Sequence, residues 1–153
     1  VLRLANGYGV PAHGDINCWN LVVNNLCRQA AENGKMILRS SGLQYRNFIP
    51  LQEICMVVDF FAKRLIQQKN REKWGPINVG SQKSMTILEI AMLIQSRCRL
   101  TLGFEPELIC NRQNVEARNT EMDYRIDRLQ ATGYRSTVDP MQEIDDLLTY
   151  CYH

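Results

Sequence analysis

The sequence has no apolar run near the ~18 residues that a membrane-spanning helix needs. It also lacks the basic, apolar and small-residue succession of a signal peptide. Charge of one sign is missing too, with 18 lysines and arginines against 16 acids. That balance excludes the strong positive excess by which a surface holds nucleic acid or an anionic membrane. Histidine is scarce: His13 lies in a turn-like stretch and His153 ends the chain. Six cysteines, at 18, 27, 55, 98, 110 and 151, form no C-x-x-C pair, so neither a metal site nor a disulfide framework is signalled. They read as buried, reduced thiols of a cytoplasmic protein. No internal repeat or low-complexity segment is present.

What remains is an ordinary globular composition, 45% hydrophobic and 22% charged over 153 residues, enough for one domain with a sizeable core. The chain opens on Val1, inside a strand-like run, and reads as a piece of a longer protein. Alternation and flanking turn residues predict strands at 1–5, 36–38, 48–51, 76–80 and 108–110, with a loop over 6–17. Val22, Leu26 and Ala30, with Val23 and Cys27 beside them, predict a helix over 19–33 that Gly34 ends. Ile54, Val57, Val58, Phe61 and Leu65 predict a second helix reaching residue 68, then a charged loop over 69–73. Thr86 and Glu89 match the capping box, in which each side chain satisfies the other's free amide. The helix they open carries Ile87, Ile90, Ala91, Ile94 and Cys98 on one stripe and stops at Gly103. A short helix over 127–130 closes at Gly133, and Asp139-Pro140 opens a last helix over 141–150. The sum is a mixed α/β domain of short strands and several helices, with too few strands for a full doubly wound sheet.

The turn Gly7-Tyr8-Gly9-Val10-Pro11-Ala12 fits G-x-G-x-x-A, the outline of a dinucleotide fingerprint. That chemistry needs a helix starting within the glycines, because its first amides and dipole hold the pyrophosphate. Pro11 removes one such amide, and the loop runs on for several residues before helical spacing begins. The fingerprint reading is set aside.

The same stretch, L-R-x-x-N-x-Y-G-x-P, resembles a strand-to-loop crossing of the extended short-chain dehydrogenase/reductases, the NAD-dependent epimerases and dehydratases of nucleotide sugars. The resemblance continues in order. "GLQYRNFIPLQE" is similar to G-x-Q-x-R-D-F-I-H-V-x-D, and "INVGSQKSMTILEIA" to Y-N-V-G-S with its following helix. "ARNTEMDYRIDRLQATGYRSTVDPMQEIDDLL" is similar to the closing R-x-x-D, K/R-L-x-x-x-G-W/Y and final helix. Together these segments cover nearly all of residues 1–153. The resemblance implies the C-terminal, substrate-binding region of such a Rossmann-type enzyme. NAD would then be bound mainly by an N-terminal part that also carries a Tyr-x-x-x-Lys pair. No tyrosine in this chain has a lysine four residues on, so the chain alone is expected to be inactive. The implied chemistry of the intact enzyme is transient oxidation of a sugar hydroxyl, rearrangement and return of hydride.

The resemblance assigns residues to a nucleotide-diphosphate sugar, a UDP- or dTDP-sugar. Arg46 and Arg118 match phosphate-binding arginines, whose forked donors suit phosphate oxygens. Asn6 matches an asparagine that touches sugar or phosphate, and Asn20 one at a helix start, where it could instead cap the helix. Ile37 and Arg39 would lie along the base, and Glu121 stands for an acid beside the second arginine. Tyr8 would pack near the nicotinamide or belong to the core, and Asn78 would brace a strand-to-helix turn. Asn47 stands where the family has Asp and Pro50 where it has His, while Glu53 keeps an acid. With that Asp lost, Arg46 is expected to be less firmly positioned. The competing readings are a non-catalytic nucleotide- or protein-binding module and a reductase of a non-nucleotide substrate. A strand left open at residues 1–5 would favour self-association.

Overall fold

The computed structural model describes residues 1–67, 75–110 and 121–152. In chain order its elements are β1 (Leu2–Leu4), β2 (Asn6–Tyr8), α1 (Val22–Asn33), β3 (Lys35–Leu38), β4 (Tyr45–Arg46) and β5 (Phe48–Pro50). There follow α2 (Leu51–Gln67), β6 (Ile77–Val79), β7 (Met85–Thr86), α3 (Ile87–Thr101), β8 (Glu107–Cys110), α4 (Asp127–Ala131) and α5 (Pro140–Tyr152). The expected mixed α/β architecture of short strands and several helices is the observed one. The expected charged loop over 69–73 lies outside the described residues. None of the described helices is long and apolar enough to cross a membrane.

The strands pair two by two. β1 runs parallel to β6, β2 to β5 and β3 to β8, while β4 and β7 are antiparallel. All three parallel pairs join strands distant in sequence, so the fold is stitched by long-range pairing. Residues 6–8, expected as loop, are a strand for that reason. The Asn6 amide donates to Asn47 O at 3.0 Å, and Asn6, Gly7 and Tyr8 align with Phe48, Ile49 and Pro50. A partner strand thus outweighs glycine's poor local preference for extended structure. α1 begins at Val22 rather than at residue 19, because residues 18–21 close a turn in which Leu21 N donates to Cys18 O at 3.2 Å.

Helix ends follow the sequence closely. Thr86 Oγ1 accepts from Glu89 N at 3.0 Å and Glu89 Oε2 accepts from Thr86 N at 2.7 Å, the reciprocal cap of α3. Gly34 takes φ of 63° and donates to Ala30 O, ending α1. At α5, Asp139 Oδ1 accepts from Met141 N at 2.9 Å.

Two apolar clusters hold the elements together. The larger places α1, α3 and α5 around β3 and contains Leu26, Met36, Ile94, Ile144, Leu147 and Leu148. Burying side chains of this size contributes ~1.5–3 kcal/mol each. A polar clamp ties α3 to α5: Arg97 forks onto both oxygens of Asp145, and Thr101 Oγ1 donates to Asp145 at 3.0 Å. That pairing holds the Asp145 carboxyl below its usual range. The smaller cluster packs α2 and α4 on the β1–β6 pair through Val57, Phe61, Ile77, Val79 and Leu129.

The cysteines correct one expectation. All six are free, but only Cys27 and Cys98 are buried and Cys55 is exposed. Cys55 lies on the outer face of α2, beside Val58 and away from the buried Val57 and Phe61. Burial raises the Cys27 and Cys98 thiols above their ordinary value, and pushes half-buried Cys151 up to about 11.

Candidate functional site

A single residue, Gly34, separates α1 from β3, so helix and strand lie side by side with a cleft between them. Along β3 burial alternates: Lys35 and Ile37 are exposed, Met36 and Leu38 buried. This parity follows from the two-residue period of a strand and turns Ile37 away from the core. α1 fixes the strand's position, since Gln29 Oε1 accepts from Ile37 N at 2.9 Å and Gln29 Nε2 donates to Asn25 Oδ1 at 3.1 Å.

The cleft has a volume of about 750 Å³ and reaches the start of α3 at Ile87. Asn20, Ile37 and Arg39, three of the residues marked in the sequence, line it together. Trp19, Asn25, Arg28 and Gln29 join them. The Arg28 guanidinium lies 4.8 Å from the centroid of the Trp19 ring, and Trp19 stacks on Tyr150 at 6.5 Å. Asn20 does not cap α1: the N-cap is Leu21, which makes no side-chain bond, and no acid sits in the first turn. Among the described residues the first amides of α1 therefore have no side-chain acceptor, the condition under which a helix start attracts an anion. Two arginines, an apolar wall and an uncapped helix start make a cleft suited to a planar, negatively charged ligand.

The remaining marked residues stand elsewhere. Arg46, on β4, is exposed and turned onto its own strand, with Nη1 donating to Tyr45 O at 2.9 Å and Nη2 to Gln44 Oε1 at 3.3 Å. Asn6 donates from Nδ2 to Asn47 O at 2.9 Å. Glu121 borders a separate groove with Lys83, Ser84 and Tyr124. Arg118 lies outside the described residues. Tyr8 is buried and its hydroxyl donates to Pro140 O at 3.2 Å; burial and nearby Glu143 raise its pKa well above the ordinary phenol value. Asn78 donates to Arg125 O at 2.9 Å, which ties β6 to the segment before α4.

Residue 47 does not have the role its place beside Arg46 suggested. Asn47 is 1% exposed and faces inward: Nδ2 donates to Ser81 O and Oδ1 accepts from Ser81 N, both at 2.9 Å. It secures the 81–84 turn and makes no bond to Arg46. Asn24 is a second buried asparagine that the sequence did not reveal. It brackets Gly9, donating to Gly9 O at 2.9 Å and accepting from Gly9 N at 3.2 Å.

The glycine turn offers no cradle for a dinucleotide. Gly7 lies within β2, and no helix begins before Val22. A side-chain carbon placed at Gly9 would meet Glu143 Oε1 at 2.1 Å and Leu51 Cβ at 2.9 Å. Its lack of a side chain serves packing within the chain, so no step through NAD is assigned to these residues. Among the described residues no group of histidines, cysteines and acids is arranged for a metal.

No family model matches this sequence, and no curated protein matches it. Solved structures do match in fold. An NAD-dependent NDP-hexosamine 5,6-dehydratase of tunicamycin biosynthesis shares 22% identity at a TM-score of 0.63, over 97% of this chain and 44% of its own. The UDP-N-acetylglucosamine 4-epimerase of Methanobrevibacter ruminantium M1, solved with UDP-N-acetylmuramic acid, shares 20% at 0.69, over 97% and 44%. RMD from Pseudomonas aeruginosa, solved with NADPH, shares 19% at 0.69, over 99% and 47%. The chain spans less than half the length of these proteins, and identities this low establish the fold alone.

Proposed function

We propose that this chain is the substrate-binding, C-terminal region of an NAD-dependent nucleotide-sugar epimerase or dehydratase. In this reading the cleft between α1 and β3 holds the nucleoside diphosphate of a UDP- or dTDP-sugar. One observation carries it. Asn20, Ile37 and Arg39, which the sequence assigned to such a ligand, line one cleft with Arg28 and the uncapped start of α1. Ile37, Trp19 and the planar guanidinium of Arg39 supply a wall for a base, while Arg28 supplies forked donors for phosphate oxygens, each bond worth ~1.5–3 kcal/mol.

Arg46 is assigned to the diphosphate as well. Its two present bonds are solvent-exposed and cost little to exchange for phosphate. Arg118 is assigned alongside it, with Glu121 as the acid that orients Arg118. Asn6, on β2, is assigned to the sugar, while Tyr8, on the same strand, belongs to the buried core. The nicotinamide cofactor itself is assigned to residues outside this chain, which would give the cytoplasmic parent its activity and leave this region inactive alone.

Calorimetric titration of the chain with UDP, dTDP and UDP-glucose tests the reading. Saturable binding of the diphosphates, weakened about tenfold in Arg39→Ala, is expected. Failure of every nucleotide to bind, or unchanged affinity in both Arg39→Ala and Arg46→Ala, would overturn it.

A further inference from the structure

Spacing along the chain joins no two cysteines, but folding does. The loop before α1 runs over the last turn of α5. There Trp19 stacks on Tyr150 with ring centroids 6.5 Å apart and 23° between planes. A side-chain carbon placed at Gly14 would lie 3.6 Å from the Tyr150 hydroxyl, so the loop meets α5 at more than one point. Cys18 precedes Trp19 and Cys151 follows Tyr150, so the two thiols flank this stacked pair. Both are free and half-buried. Burial pushes the Cys151 thiol up to about 11, and charge on neighbouring Cys18 adds to the rise.

The other cysteines are placed differently. Cys27 and Cys98 are 0% exposed and walled into the larger core, out of reach of an oxidant in solution. Cys55 is on the outer face of α2, and Cys110 stands opposite Leu38 in the β3–β8 pair. Cys18 and Cys151 also sit where backbone yields. Cys18 belongs to no helix or strand; its N donates to Ile16 O at 3.0 Å and its O accepts from Leu21 N at 3.2 Å. Cys151 is one residue from the end of α5, in a turn of the kind that frays. Bringing the two Cα atoms into the range of a disulfide, ~4.4–6.8 Å, moves only a loop and a helix end.

We propose that Cys18 and Cys151 form a modification site, a reversible disulfide that pins the loop before α1 to the end of α5. The oxidant is a small-molecule disulfide of the glutathione class. The Cys18 thiolate attacks its S–S bond, forming a mixed disulfide and expelling one glutathione thiolate. Cys151 then gives up its proton and attacks the Cys18 sulfur, expelling the second. Two protein thiols are oxidised to one disulfide, the oxidant is reduced to two thiols, and these take up the two cysteine protons. Trp19 and Asn20, in the loop so fixed, line the α1–β3 cleft, and the bond would hold that wall in place. The site stands independently of the nucleotide reading.

Oxidised glutathione added to the folded chain tests it, followed by blocking of remaining thiols with N-ethylmaleimide and mass measurement. Two of the six thiols should be lost to blocking, and dithiothreitol should restore them. Chymotryptic cleavage after Trp19 separates Cys18 from Cys27, and the linked peptides should carry Cys18 and Cys151. Cys18→Ser and Cys151→Ser should each lose the link, while Cys27→Ala and Cys55→Ser keep it. In concentrated urea, which removes the fold that joins the pair, its preference over other pairings should be lost. On oxidation, amide NMR should show shifts at Trp19 and Asn20. Six thiols still blocked, glutathione retained on Cys18 without closure, or a link from Cys151 to Cys27 would each overturn the proposal. So would a preference undiminished in urea, or a link found only between chains when isotope-labelled and unlabelled protein are mixed.

Discussion

Replacing Asn47 by alanine isolates a single long-range tie. Its amide group makes two bonds of 2.9 Å to the backbone of Ser81, 34 residues away, and a longer one of 3.5 Å to Ser84 Oγ. Each short bond is worth about 1 kcal/mol net, and its loss leaves half-buried backbone groups poorly solvated. The side chain also leaves a void at a position 1% exposed. The cost should therefore be about 2–3 kcal/mol. For a domain of this size that lowers Tm by about 8 °C, at 2–4 °C per kcal/mol. Thermal and urea unfolding followed by circular dichroism would measure it.

Asn47→Asp refines the test. It keeps the acceptor for Ser81 N but sets an oxygen against Ser81 O, and burial raises the folded-state pKa of such an acid. Its destabilisation should be small below pH ~3.9, the unfolded value, and grow as pH rises through it. If Asn47→Ala lies within 0.5 kcal/mol (roughly the scatter of surface substitutions) of the parent, the reasoning about this tie is wrong.

Other consequences can be checked alongside. The Asp145 carboxyl is held below its usual range first by its bond to Arg97 and then by Thr101. Its stabilisation is therefore present above the unfolded carboxyl pKa and lost as pH falls through the folded value. Asp145→Asn should cost ~1.5 kcal/mol at pH 7 and flatten the acid limb of the stability profile. Gly9→Ala drives a methyl into Leu51 Cβ and Glu143, and should cost about 1–3 kcal/mol in urea unfolding; a neutral result would refute the close packing there. Among the described residues β1 pairs with β6 alone, and Leu4 is 50% exposed beside it. Sedimentation should show self-association of the chain that Leu4→Lys reduces, and a clean monomer at high concentration would contradict it.

Local devices were legible in the sequence because their partners are two to four residues away. The Thr86–Glu89 cap, the Gly34 stop and the Asp139 cap all stand where spacing put them. β2 was hidden because its strand character comes from β5, about 40 residues on, and not from Asn-Gly-Tyr itself. The inward role of Asn47 was hidden for a related reason. The chain passes there from the β4–β7 pair to the β2–β5 pair, so exposed Arg46 is followed by four consecutive buried residues and strand alternation fails.

The site shows the same division. Ile37 and Arg39 were marked by resemblance, and β3's alternation places Ile37 outward. Arg28 and Trp19 were missed, although Val22, Asn25 and Gln29 repeat at helical spacing along the face of α1 that lines the cleft. Arg28 reads as a surface cation until Trp19, from the turn before the helix, is seen beneath it.

The central claim is that the α1–β3 cleft takes a nucleoside diphosphate, and an amide-resolved NMR titration with UDP addresses it most directly. The account predicts saturable shifts concentrated at Asn20, Val22, Ile37 and Arg39, diminished in Arg39→Ala. Shifts that saturate at another surface, or none at millimolar UDP (about 4 kcal/mol of binding), would contradict it.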